Sequence, residues 1–322
     1  MTAEPIAILR PHGVAALPTG LTAEARGGLC LVSGPAAPRG VVFGHRARRG
    51  ALLRHAARRQ GWLEALMTAG PVLPLRPGTA LDAAGLATHA GLFNAWLDRL
   101  EDRVQLQLTV RWDREAARGQ FATAHELVGI AQKPGLDRLA ARLAAAMQAE
   151  LDVLELDAIP LPIAEDDMLL NRVLLIAAGA EPALDAAVDR IDALWPEGLR
   201  LRLVGPSPAV SFALAGLRAL PLGDLRAAAA VLGLPPPATG AELAALAAGI
   251  APARRRALAE GPHRDAVPAA AATLAAAAAA GFSPGALPDP LLLPEVIRDG
   301  RAQPVDPGSL PAPALPPFRD SA

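Results

Sequence analysis

The sequence predicts an α+β protein in which two mixed domains are joined by a long helix. The apolar runs 173–178 and 199–204 enclose a segment, 181–194, whose apolar residues recur at helical spacing. The segment 103–112 alternates apolar and polar residues, which is typical of a half-buried antiparallel strand. The apolar stripe of 136–156 predicts the long amphipathic helix between the domains. We interpret the two domains as ferredoxin-like α+β units.

The N-terminal domain begins with short strands. We predict strands at 6–10 and 29–33, and a possible third at 41–43. Helical segments follow at 62–67 and 80–100, separated by an extended segment rich in proline at 71–77.

The unit from Val173 to Val204 organises the second domain. Its helix and its strands are each about 20 Å long, which predicts a right-handed crossover between adjacent parallel strands of one sheet. Two prolines then follow within the sequence Gly205, Pro206, Ser207, Pro208. Because proline fixes φ and lacks an N–H donor, we predict that the second strand ends in a stiff exposed loop, from which Phe212 turns back to the core.

Alanine dominates the C-terminal part. Three helices are predicted at 225–234, 241–258 and 266–280, and the proline-rich segment from residue 283 onwards is predicted to be a mobile or surface-lying tail. The predicted boundaries are 1–115 (N-terminal α+β domain), 116–157 (connection and long helix), 158–220 (second α+β domain core), 221–282 (Ala-rich helical extension) and 283–322 (Pro-rich tail).

The composition excludes several classes of function. The net charge of −1 provides no general field for nucleic acid. A single cysteine, Cys30, excludes an internal disulfide and a CxxC metal site. The long uncharged run 266–288 is interrupted by proline and glycine, so we predict no membrane span, and without a recognisable leader we expect a cytoplasmic protein.

Two stretches of opposite charge are candidates for interaction. The segment 43–61 has arginines and histidines but no acid, and 150–167 has seven acids and no base. The arginines form either a solvated helix face or a docking surface for an acidic partner, and the two charged faces either meet within the molecule or serve neighbours. The candidate partner-binding arginines of this stretch are Arg46, Arg49, Arg54 and Arg58.

Catalytic patterns are incomplete throughout the sequence. The segment 281–285 spells a nucleophile elbow, but it follows a predicted helix where that mechanism needs a strand. The six histidines are not paired at ligand spacing. We therefore predict no catalytic, metal-binding or cofactor-binding residues, and no enzymatic activity.

Three segments resemble the gas vesicle protein GvpF/GvpL family. The first runs from Val72 through Arg76 to Thr79, with Pro77 where the family has Phe, and the second is the strand ending at Trp112. The third begins at Asn171 and closes with a Gly-Pro-x-Pro-x-x-Ser-Phe motif. At this motif the chain has Ser207 and Ala209-Val210 in place of Trp and Pro-aromatic, and the resemblance ends at Leu217.

This resemblance implies a cytoplasmic accessory and minor structural protein of gas vesicle formation. Its implied partners are the small hydrophobic shell protein, which must be kept from aggregating and delivered to the growing shell, and other vesicle accessory proteins. The candidate partner-binding residues in the matched segments are Arg76, Asn171, Gly205, Pro206, Ser207, Pro208, Ser211 and Phe212.

Two alternatives come from other classes. The boundary between two α+β domains is a natural cleft, so a small-molecule enzyme with an inter-domain site is one of them. The order of the Ala-rich helices also resembles a J-domain, in which the loop 263–265 would stimulate an Hsp70 partner, although it reads His-Arg-Asp where a J-domain has His-Pro-Asp.

Overall fold

The structure is a computed structural model that describes residues 3–14, 17–37, 45–118, 132–260, 264–298 and 301–304. It contains three antiparallel sheets with helices packed against them, so the predicted α+β class is confirmed. The predicted strand at 41–43 lies outside the described residues.

The N-terminal sheet has the strand order β2-β3-β1-β4. Its strands are β1 (Ala3–Leu9), β2 (Thr22–Arg26), β3 (Leu29–Pro35) and β4 (Leu73–Pro74). The helices of this part are α1 (His45–Met67), α2 (Ala83–Thr88) and α3 (Ala90–Leu100). The segment predicted as one helix at 80–100 is therefore two, and the side chain of Asp82 caps the first by accepting a hydrogen bond from the backbone N–H of Gly85 at 2.8 Å.

The central sheet has the strand order β6-β7-β5-β8. Its strands are β5 (Arg103–Trp112), β6 (Asp157–Pro160), β7 (Met168–Ala177) and β8 (Leu199–Ser207). The helices α4 (Gln132–Asp152) and α5 (Glu181–Asp192) pack on one face of it. The predicted long helix and the alternating strand are thus confirmed as α4 and β5.

The predicted strand–helix–strand unit is present, but its two strands are not adjacent. Strands β7 and β8 each pair antiparallel with β5, so they run in the same direction on opposite sides of it. The prediction of neighbouring strands was wrong because the helical spacing of α5 shows that the chain crosses over the sheet, not how far. Skipping one strand adds only about 5 Å to the crossover, which a helix of this length accommodates.

A third sheet contains the C-terminal strands in the order β11-β10-β9. It consists of β9 (Leu214–Leu220), β10 (Leu291–Arg298) and β11 (Arg301–Pro304). Between β9 and β10 the chain forms α6 (Leu222–Val231), α7 (Gly240–Glu260) and α8 (Val267–Ala279), which confirms the three predicted Ala-rich helices.

The prediction of a tail from residue 283 was wrong for β10 and β11. Leu291 and Leu293 are fully buried against the Ala-rich helices, and β10 pairs with β9 from Leu291 to Ile297. The misleading signal was Pro294, because proline is normally excluded from the middle of a sheet. Among the described residues, β10 pairs with β11 only from Glu295 to Arg298, so Pro294 lies outside that ladder. Residues 305–322 lie outside the described residues.

One hydrophobic core connects all three sheets. Its buried members include Leu31, Leu75 and Phe93 of the N-terminal part, Val173 and Leu175 of β7, Phe212 after β8, and Val296 of β10. Among the described residues, side chains of both predicted α+β domains pack together in this core.

Candidate partner-binding surfaces

The C-terminal half of α1 anchors this helix to the N-terminal sheet. Trp62, Leu63 and Leu66 are buried in a core with β1. The Arg59 guanidinium is buried beside them and donates hydrogen bonds to the backbone carbonyls of Ile6, at 3.2 Å, and of Leu75. Burial lowers the pKa of Arg59, and the nearby carboxylate of Glu4 partly opposes that shift.

The segment 49–58 of α1 is largely exposed to solvent. Arg49, Arg54 and Arg58 lie on its surface, and the structure pairs none of them with a carboxylate among the residues that it describes. Leu52 and Leu53 retain 45% and 61% of their accessible surface. Arg46 lies in the first turn of the same helix. We name the exposed set the basic helix surface; it consists of Arg49, Leu52, Leu53, Arg54, Ala56, Ala57 and Arg58.

Arg76 joins two sheets within the molecule. Its guanidinium lies 2.9 Å from the buried carboxylate of Glu295 on β10, and its backbone N–H donates to the carbonyl of Ala215 on β9 at 2.7 Å. Part of the side chain is still exposed, but its charge already has a partner. The arrangement supports a structural role for Arg76 between the N-terminal and C-terminal parts.

Asn171 is also committed to internal hydrogen bonds. Its amide oxygen accepts from the Gln107 amide at 2.9 Å and from the Thr109 hydroxyl at 3.4 Å. Its amide nitrogen donates to the carbonyl of Pro162 at 3.2 Å. Because these bonds use both ends of the amide, Asn171 fixes the segment that leads into β7.

The segment predicted as a stiff exposed loop after β8 is instead the end of that strand, where Gly205 and Pro206 are exposed, followed by a buried turn. Strand β8 continues through Pro206 to Ser207, and after it Pro208 and Phe212 are buried while Ser211 is half-buried. The prediction of a loop was therefore wrong, because Gly205–Ser207 belongs to β8, and the prediction of exposure holds for Gly205 and Pro206 but not for Pro208. The return of Phe212 to the core was right, since this ring packs in the core that the three sheets share.

Gln105 holds this corner in place. Its buried amide oxygen accepts a hydrogen bond from the backbone N–H of Ser211 at 2.9 Å, and its carbonyl accepts one from the Ser207 hydroxyl at 3.2 Å. Gly205 is required beside it, because φ is +138° and an added Cβ would lie 2.6 Å from the Leu106 side chain. No sequence pattern indicates this role, since Gln105 resembles the other polar residues in the alternation of β5.

The outer edge of β8 is the second exposed surface with apolar character. Strand β8 is the last strand of the central sheet among the described residues. Leu203 and Val204 retain 40% and 46% of their accessible surface, and Gly205 and Pro206 next to them are also exposed. We name Leu203–Pro206 the β8 edge. The sequence alone missed it, because an apolar strand segment predicts burial.

The acid-rich segment 150–167 pairs with arginines that lie outside α1. Glu150 contacts Arg190 at 2.6 Å, and Asp166 contacts Arg114 at 2.9 Å. Arg111 contacts both Glu165 and Asp167, and Asp157 contacts Arg298. The two charged stretches identified in the sequence therefore do not meet each other within the described structure.

Signs of a reaction centre are few in the part of the chain that the structure describes. These residues contain no group of three or more His, Cys, Asp or Glu side chains that could hold a metal ion. A surface recess of about 160 Å³, open solvent included, lies beside His12 and Gly70, far in the sequence from the β8 edge. None of the described helices is long and apolar enough to cross a membrane.

The co-chaperone alternative depends on the turn between α7 and α8. These two helices pack against each other, and Arg264–Ala266 forms a short 3-10 turn before α8. His263 lies outside the described residues.

Comparison with known proteins identifies the family. The sequence model for gas vesicle synthesis protein GvpL/GvpF matches residues 22–213. This chain belongs to the GvpL/GvpF family. The match ends immediately before β9, so the third sheet and the Ala-rich helices lie beyond the part that the GvpL/GvpF family defines.

Two solved structures of gas vesicle proteins are similar to this chain. GvpF from Anabaena sp. PCC7120 is 19% identical, with a TM-score of 0.46, over 64% of this chain and 92% of that one. GvpF from Microcystis aeruginosa is 15% identical, with a TM-score of 0.47, over 64% of this chain and 96% of that one. The search of curated proteins finds no match.

Proposed function

We propose that this chain is a cytoplasmic accessory and minor structural protein of gas vesicle formation. In this role it binds the hydrophobic shell protein and other vesicle accessory proteins during assembly, and it catalyses no reaction. The observation that carries the proposal is the match of residues 22–213 to the GvpL/GvpF family. The described surfaces add two places with exposed apolar side chains, namely the basic helix surface and the β8 edge.

The β8 edge suits the hydrophobic shell protein. Leu203 and Val204 point to opposite faces of the sheet, so both faces are apolar at this margin. The outer backbone groups of an edge strand can pair with an extended segment of another chain. An apolar partner segment added there would gain main-chain hydrogen bonds and would cover both side chains.

Two features limit uncontrolled pairing at the same place. Arg200 and Arg202 are exposed on β8, and Pro206 lacks an N–H donor near its end. Charged residues and proline are common protections of edge strands against aggregation. A protein that escorts an apolar partner requires such selectivity, because its own edge must not pair with a second copy.

Co-expression with the vesicle shell protein, followed by a pull-down, tests this proposal. We expect the wild-type chain to retain the shell protein, and Val204→Asp to reduce the retained amount at least about fivefold, because a charge replaces an exposed apolar contact. Leu194→Asp is a matched control, since Leu194 is 38% exposed but lies after α5 and away from the β8 edge.

The outcomes separate the function from its location. If the wild-type chain associates with no vesicle component, the proposed function is wrong. If Val204→Asp retains as much shell protein as the control variant does, the function stands and the β8 edge is not the binding surface.

A further inference from the structure

We propose that the basic helix surface of α1 is a docking site for an acidic amphipathic helix of another protein. This inference concerns a different surface and a different partner chemistry from the β8 edge. It does not depend on binding of the shell protein.

The apolar part of the surface has the spacing of a helix–helix contact. Leu52 and Leu53 lie side by side, and Ala56 and Ala57 follow one turn later. All four side chains are exposed, whereas Trp62 and Leu63 of the same helix are buried against β1. The small alanines allow a second helix to approach closely, and the two leucines provide the apolar area that it would cover.

Charge complementarity defines the partner. Arg49 precedes Leu52 and Leu53 by one turn, and Arg54 precedes Ala57 and Arg58 by one turn on the adjoining exposed side of the helix. The first acid on α1 is Glu64, beyond this surface, and its carboxylate accepts a hydrogen bond from Gln60 at 2.8 Å. A partner that covers the leucines must therefore place carboxylates beside these arginines.

The chain's own acidic segment does not fill this role. Five of the seven acids in 150–167 contact Arg190, Arg298, Arg111 or Arg114, as described above. The arginines of the basic helix surface thus contact no carboxylate of this segment or of the other described residues, and an external acidic helix would complement both their charge and the exposed leucines.

Nucleic acid fits this surface poorly. Bases stack on exposed aromatic rings, and the aromatic residue of α1, Trp62, is buried. Phosphates alone would contact the arginines but would leave Leu52 and Leu53 uncovered. An anionic bilayer could cover both, and the experiment below treats it as a competing outcome.

A designed peptide tests the proposal with the full chain. The probe is a fluorescein-labelled peptide of about 14 residues, with Leu at positions i, i+3, i+4 and i+7 and Glu on the opposite face. The control peptide has the same composition in an order that destroys this spacing. We expect the probe to bind, measured by fluorescence anisotropy, at least about tenfold more tightly than the control, and more weakly when salt is raised from about 50 to 300 mM.

Variants locate the binding on α1. We expect Leu53→Asp and Arg54→Glu/Arg58→Glu each to weaken binding of the probe at least about tenfold. Arg254→Glu/Arg255→Glu on α7 is the matched control, because both arginines are exposed on a helix of similar length; it should bind like the wild-type chain.

Several results would overturn the proposal. They are no binding of the probe, equal binding of both peptides, or an equal loss in the α7 control variant. Binding of phosphatidylglycerol vesicles without binding of the probe would assign the surface to a membrane.

Discussion

The basic half of α1 and the acidic segment 150–167 look complementary in the sequence, but they have different partners in the structure. The acids contact Arg111 and Arg114 near β5, Arg190 on α5 and Arg298 on β10. The exposed arginines of α1 contact no carboxylate among the described residues. This difference shows that the fold topology decides which charged residues lie close together. Two stretches of opposite charge in the sequence need not contact each other.

The largest expected effect is a difference in the free energy of unfolding between variants of two neighbouring residues on α1, Arg59 and Arg58. Arg59→Met removes the donor to the carbonyls of Ile6 and Leu75, so we expect the free energy of unfolding to fall by about 2–3 kcal/mol. Arg58→Met should change it by less than about 0.5 kcal/mol, because Arg58 is exposed. Urea unfolding measures both variants. Equal losses of free energy of unfolding in the two variants would contradict the structural distinction between a buried Arg59 and an exposed Arg58.

The comparison between buried and exposed cationic residues also applies to His89, whose side chain can lose its charge. It is buried where α2 meets α3, and its Nδ1 lies 2.8 Å from the carbonyl oxygen of Ala280 at the end of α8. Burial lowers the pKa of His89 in the folded chain below the ordinary value of 6.5. Between the lowered pKa and pH 6.5, His89 binds a proton in the unfolded chain but not in the folded chain, so lowering the pH favours unfolding.

We therefore expect a stability contribution of His89 that is complete above about pH 6.5 and is lost as the pH falls towards the lowered pKa. For one proton the slope cannot exceed about 1.4 kcal/mol per pH unit. Urea unfolding at several pH values measures it. His89→Gln should flatten this part of the profile, whereas His12→Gln, at an exposed position, should keep it. Identical profiles for the three proteins would exclude His89 as the cause.

Arg298 represents the paired arginines that join the C-terminal strands to the central sheet. Its guanidinium contacts Asp157 on β6 and lies 5.8 Å from the centre of the Phe212 ring. About a third of each charged side chain is exposed, so solvent screens the pair. We expect Arg298→Met to cost about 1 kcal/mol in urea unfolding. Arg218→Met, at an exposed position on β9, should be neutral, and an equal loss there would remove the claim for Arg298.

The sequence predicted the elements whose periodicity is strong. The stripe of α4, the alternation of β5 and the crossover through α5 were all recognisable because each buries one face of a regular element. The resemblance at Arg76, Trp112 and Gly205 identified the family that the match over 22–213 then showed. The periodicity of apolar residues was sufficient to predict a helix or strand wherever that element buries one of its faces.

What could not be predicted depends on contacts between distant segments. The insertion of β5 between β7 and β8, and the pairing of β10 with β9, are set by partners far away in the sequence. The same holds for the binding residues. Asn171 and Arg76 were proposed from motifs, but their hydrogen bonds and ion pairs are internal, whereas Leu53 and Val204 became visible only through their exposure.

We expect the smallest loss of stability from substitution of Arg111, which tests how much an exposed but paired arginine contributes. It contacts Glu165 at 2.6 Å and Asp167 at 3.0 Å on the surface of the central sheet. The guanidinium holds the pKa of Glu165 below its ordinary value of 4.5, so this contribution is present above that pH and is lost as the pH falls through the lowered pKa.

Because the cluster is exposed to solvent, we expect Arg111→Gln to destabilise the chain less than Arg298→Met does, and the loss to disappear near 1 M salt. Urea unfolding at low and high salt measures it, with Arg202→Gln on β8 as the exposed control. A loss at Arg111 that persists in high salt would mean that surface pairing stabilises this fold beyond screened charge attraction. The arginines of the basic helix surface, which contact no carboxylate among the described residues, would then lower the stability of the free chain, and a partner that neutralises them would raise it.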